Sequence, residues 1–103
     1  MSSLQAEEYK NFEEIKRIRE DGTEYWNARD LGEVLQYVQW KNFAKVIDRA
    51  KIACQNSRGN VEYDFAEVSK IVEAGATHKK IIDYELSRYA CYLIVQNSDP
   101  RKN

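Results

Sequence analysis

The sequence predicts an α+β fold, mostly helical, with a helix-turn-helix-like pair and one or two short strands. Three observations lead there. Apolar residues recur at three- and four-residue spacing through much of the chain, which is the helix signature. Two such segments between residues 28 and 55 are separated only by "VQW", as in a helix, tight connection and second helix. Two other stretches, "TEYWN" and "IIDYEL", are too brief for helices and are aromatic or β-branched.

The first helix is expected over residues 7–19, where Tyr9, Phe12, Ile15 and Ile18 form one stripe. "EDGTE" breaks it, with Gly22 as the turn residue. Asn27 is a good N-cap, and Asp30 three residues on makes a box-like start for "ARDLGEVLQY". Leu31, Val34 and Leu35 point inward there, and Gly32 marks a close helix crossing. The next helix runs from about Lys41 to Gln55. Steps of about 100° put Phe43, Val46, Ile47, Ala50 and Cys54 on one side. Lys41, Lys45 and Arg49 fall on the other, and Ile52 lands among them.

"NSRGN" reads as a turn. Asp64 and Glu67 again resemble a box-like start, now for a helix "FAEVSKIVEA" that Gly75 would stop. "ATHKK" reads as a loop, and Ile81–Leu86 as a second strand. Ser87 caps the last helix, "RYACYLIVQN", which Asp99 and Pro100 end.

The 103 residues fit one domain, 1–103, with 43% hydrophobic and 32% charged residues, a globular composition. The longest apolar run, Tyr89 to Val95, is far short of a membrane span, and the start lacks the apolar core of a signal peptide. A cytoplasmic protein is expected. Cys54 and Cys91 lie on apolar helix faces and read as buried small hydrophobes. One histidine, His78, and two dispersed cysteines do not make a zinc site, so no metal or cofactor is expected.

Charge is divided unevenly. Residues 1–37 hold 5 basic and 9 acidic groups, residues 38–58 hold 5 and 1, and residues 59–103 hold 6 and 7. The chain is slightly acidic overall, at -1, yet its middle is strongly basic. That excludes a general nucleic-acid sponge and permits a local binding face.

Several segments are similar to a known family: "FEEIKRI", "YWNARDLGEVLQY", "NFAKVIDRAKIACQNS" and above all "DYELSRYACYLIVQNSDPRK". In order, from about Phe12 to Lys102, they resemble the DNA-damage-inducible protein D family. A weaker similarity, resting on Trp26 to Tyr37, extends to the BRO-type N-terminal domain of phage antirepressors and viral proteins. The resemblance implies a bacterial intracellular protein made in response to DNA damage, acting on DNA or on DNA-bound machinery. It also implies that the chain is either the N-terminal part of a longer protein or a short natural form.

Lys41, Lys45 and Arg49 then read as phosphate contacts from a groove-facing helix, against the alternative of an ordinary solvated face. Gln39 and Asn42, near the start of that helix, read as a connector residue and an exposed amide rather than base readers. Lys79 and Lys80, beside His78, read either as a backbone-contacting wing or as a solvated loop. Arg101 and Lys102 could extend the basic surface or belong to a frayed tail. Trp40, next to Lys41, reads as a stacking platform for bases or as a core anchor; Trp26 reads as core. Tyr92 has only Arg88 near it in sequence, which does not make a nucleophile. No paired-carboxylate or Gly-rich phosphate motif stands out, and no enzyme is expected. Two functions stay open. One is a DNA-binding regulatory module, single- or double-stranded. The other is a module that docks on a repair or recombination protein, which the acidic first third would suit. No membrane partner is expected, and the sequence leaves oligomeric state open.

Overall fold

A computed structural model describes Leu4 and residues 6–98. The chain runs α1 (Ala6–Glu14), β1 (Arg17–Ile18), β2 (Glu24–Asn27), α2 (Ala28–Val34), α3 (Trp40–Asn56), α4 (Val61–Asp64), β3 (Phe65–Ala74), β4 (Thr77–Leu86) and α5 (Arg88–Asn97). The strands form one antiparallel sheet in the order β1-β2-β4-β3. Four strands among the described residues correct the mostly helical expectation of one or two short ones.

The error lies in residues 65–80. "FAEVSKIVEA" is the strand β3, not a helix, and "ATHKK" is the turn and start of β4, not a loop. Its apolar spacing fits a helix, but its burial alternates as in a half-covered strand. Pairing decides the outcome: all ten residues, Phe65 to Ala74, face partners from Leu86 to Thr77. Gly75 turns the hairpin with φ of 67°, and the two-residue link that results needs that left-handed position. Asp64 does not cap a following helix. Its carboxylate accepts from Ser87 Oγ at 2.6 Å and from Cys54 Sγ at 3.7 Å.

The core lies on one face of the sheet. Trp26, Phe65 and Leu86 share that face and pack with Phe12, Phe43, Val46, Ile47, Ala50, Ala90 and Ile94 from α1, α3 and α5. Phe12 stacks on Trp26 at 4.5 Å, and the indole N–H of Trp26 donates to the Phe12 carbonyl at 2.9 Å. The first helix is shorter than expected and leaves Ile18 outside it; Tyr9 is exposed within it, and only Phe12 of their stripe is buried. Cys54 and Cys91 are buried free thiols, as expected, and burial raises both pKa values, with Asp64 adding to the effect on Cys54.

Two helices close with side-chain-bearing residues in the left-handed region. Gln36 (φ 67°) follows α2, where the Tyr37 N–H reaches the Gly32 carbonyl at 2.8 Å. Arg58 (φ 63°) follows α3, where the Gly59 N–H reaches the Cys54 carbonyl at 2.8 Å. Both are Schellman closures built without glycine at C′.

Candidate nucleic-acid interface

The inward residues of α3 are those the periodicity assigns: Phe43, Val46, Ile47, Ala50 and Cys54 are all buried. Their burial turns the rest of the helix outward. Lys41, Lys45, Asp48, Arg49 and Ile52 are exposed, with Asp48 and Ile52 inside the basic stripe. Lys41 and Arg49 are two turns apart, about 12 Å along the axis.

Ion pairing separates the bases into two groups. Lys16 and Arg88 share Glu13 and Glu24, Arg17 meets Asp30, Arg19 meets Glu85, and Lys70 meets Asp83. Arg88 also lies over the Trp26 ring at 5.0 Å, and its bond to Glu24 holds that carboxyl below its ordinary pKa. Lys41, Lys45, Arg49, Lys79 and Lys80 have no carboxylate within 4.0 Å among the described residues. Glu13, Glu24 and Asp30 of the acidic first third are thus held in ion pairs, while the middle stays positive.

The two flanks of α3 are anchored by bases. Arg49 Nη2 donates to the Asn97 carbonyl at 2.9 Å, tying the helix to the end of α5. Lys51 Nζ donates to Tyr84 Oη at 3.0 Å and sits 4.3 Å from that ring's centre, tying it to β4. Trp40 is half-buried. The Arg29 guanidinium covers one face at 4.1 Å, and Phe43 meets it edge-on at 6.1 Å. Arg29 was not singled out by sequence reasoning. It lies eleven residues from Trp40, and only the fold brings them together.

Lys79 and Lys80 stand on the exposed end of the β3–β4 hairpin. Successive strand residues point to opposite faces, so the two lysines diverge. Lys80 shares a face with Tyr84 and hence with Lys51 of α3. Lys79 shares the other with Asp83, whose carboxylate accepts from Lys70 Nζ at 2.7 Å and from the Arg29 N–H at 3.1 Å. That last bond supplies the first turn of α2 with the cap that the Asn27 side chain does not make. His78 lies 4.0 Å from Glu73 on the arm that the β3–β4 hairpin forms. Tyr92 is exposed and accepts from Gln96, while Arg88 is held by Glu24. Arg101 and Lys102 lie outside the described residues. Among the described residues no cluster of three potential metal ligands occurs, and no helix is long and apolar enough to cross a membrane.

The model of the BRO family, N-terminal domain, matches residues 14–103. The chain belongs to the BRO family. This BRO domain is also 46% identical over 97 residues to the DNA damage-inducible protein D of Escherichia coli (strain K12). The match covers 93% of the chain but 35% of that protein, so the BRO domain spans about a third of its relative's length. No solved structure matches it significantly.

Proposed function

We propose that this BRO domain is a regulatory module of the DNA-damage response that binds DNA through the outward face of α3. The observation that carries the reading is the stripe of Lys41, Lys45 and Arg49. It lacks carboxylate partners among the described residues, whereas Lys16, Arg17, Arg19, Lys70 and Arg88 all have them. Exposed ion pairs add little stability, so unpaired lysines cost the fold little and leave their charge for a phosphate. The likeness to a protein named for DNA damage supplies the biological setting.

In this reading Lys41 and Lys45 contact phosphates, and Arg49 does so from the flank while bracing α5. Lys80 adds a backbone contact from the face of the arm that continues α3, and Lys79 one from the opposite face. Trp40 and Arg29 act together as a cation-bearing ledge, since the guanidinium already covers one ring face. Three phosphate contacts should make the log–log salt slope about 2.7 units steeper on duplex DNA.

Binding to labelled single- and double-stranded DNA across a salt series tests this. The intact chain should bind in a salt-sensitive way. Lys41→Ala/Lys45→Ala/Arg49→Ala should bind weakly and with the shallower slope. No detectable binding of the intact chain at low salt would overturn the reading. A second function, docking on an acidic surface of a repair or recombination protein, draws on Ile52, which is 57% exposed within the basic stripe. In the acidic first third Glu13, Glu24 and Asp30 are held in ion pairs, while Glu7, Glu14, Glu20 and Glu33 are exposed to a basic surface of such a partner.

A further inference from the structure

We propose that the free edge of β3 is a self-association surface, on which a second copy of this chain lays its own β3 antiparallel about a two-fold axis at Ile71. In the strand order β1-β2-β4-β3, β3 is an edge of ten residues without proline or glycine. The other edge, β1, has two residues. Long, unprotected edges are templates for a further strand.

The turn shows which groups are free. A two-residue link makes its flanking pair, Ala74 and Thr77, a hydrogen-bonded one. Alternation along an antiparallel ladder then leaves Glu67, Ser69, Ile71 and Glu73 with N–H and C=O directed off the edge. Among the described residues no loop or side chain takes up those groups. Beyond Lys70 the whole arm is exposed, and Ile71 is 68% accessible.

The identity of the occupant follows from register. Two copies of one strand pair in a common sheet only about an axis perpendicular to it, so each residue meets one on its own face. Centring on Lys70 opposes that lysine to itself and Glu67 to Glu73. Centring on Ser69 drives the partner's turn against α4. Centring on Val72 shortens the overlap. Centring on Ile71 pairs Ser69 with Glu73 and Lys70 with Val72. It opposes no like charges, and each turn stops level with Glu67 of the other copy. Across the join the row reads Lys80, Ile71, Ile71 of the second copy, Lys80 of the second copy. Two exposed isoleucines thereby cover each other.

Cross-linking of the 103-residue chain tests the register. Both native cysteines are buried, so an added thiol reports alone. Ile71→Cys should form a disulfide dimer on mild oxidation, since a hydrogen-bonded pair holds its Cα atoms about 5.5 Å apart. Ser69→Cys should not, because its two copies would lie four residues apart along the strands, about 13 Å. In sedimentation the unaltered chain should dimerise reversibly. Ile71→Pro should be monomeric with an unchanged circular dichroism spectrum, since that N–H is not used inside the hairpin. A chain that stays monomeric at every accessible concentration would overturn the proposal. So would a dimer that survives Ile71→Pro, or equal cross-linking from both thiols.

Discussion

Replacing Asp83 by alanine should be among the most damaging single changes outside the apolar core. Its side chain is 1% exposed and accepts three hydrogen bonds: from Lys70 Nζ (2.7 Å), the Tyr84 N–H (2.8 Å) and the Arg29 N–H (3.1 Å). Loss of the cap on α2 costs about 1 kcal/mol. Breaking a buried ion pair costs about 3–5 kcal/mol when the remaining charge is trapped. Here the remaining charge is Lys70, whose side chain is 39% exposed and can return to water, so that contribution falls to about 2 kcal/mol. The sum, about 3 kcal/mol, corresponds to a melting temperature lower by about 12–20 °C for a chain of this size. Asp83→Asn keeps an acceptor for the two N–H groups and should lose about half as much. Urea unfolding followed by circular dichroism measures both. A loss under about 1 kcal/mol for Asp83→Ala would show that the carboxylate does not hold the arm to α2.

Three further outcomes follow from the geometry. Gln36→Gly and Arg58→Gly should each stabilise the chain by about 1 kcal/mol in the same assay, because a side chain in the left-handed region is strained where glycine is not. Gly59→Ala should destabilise by about 1–3 kcal/mol, since its new Cβ would lie 2.5 Å from Cys54 Sγ; combining it with Cys54→Ala should recover part of that loss in a double-mutant cycle. Glu24 is held below its ordinary 4.5 by its bond to Arg88, so its stabilising effect is full above that range and fades as pH falls through the lowered value. Glu24→Gln should therefore flatten the acid limb of a stability–pH profile.

What was readable in the sequence was what local pattern controls. The inward and outward faces of α3 follow from one periodicity over seventeen residues, and Ser87 caps α5 as its position suggests, accepting from the Ala90 N–H at 3.1 Å. The hairpin was not readable, because Phe65, Val68, Ile71 and Val72 follow the helical period and fall on both faces of the strand they form. The partner that settles the matter, β4, lies beyond a Gly75–Ala76 turn that also looks like a helix stop. Pairing of charges was equally hidden. Glu24 with Arg88 and Arg19 with Glu85 join residues more than sixty positions apart, so no sequence spacing shows which bases are paired.

The Asp83 carboxylate is a mechanical joint as well as a cap. It fastens Lys70 on one strand of the arm and the first turn of α2, while Arg29 of that turn donates to the Ile82 carbonyl and lies on Trp40, the opening residue of α3. The arm, α2 and the start of the basic helix are therefore joined through one carboxylate and one guanidinium. In the proposed function, a strand or a phosphate bound at the root of the arm would act on the same joint that seats Trp40 at the start of α3.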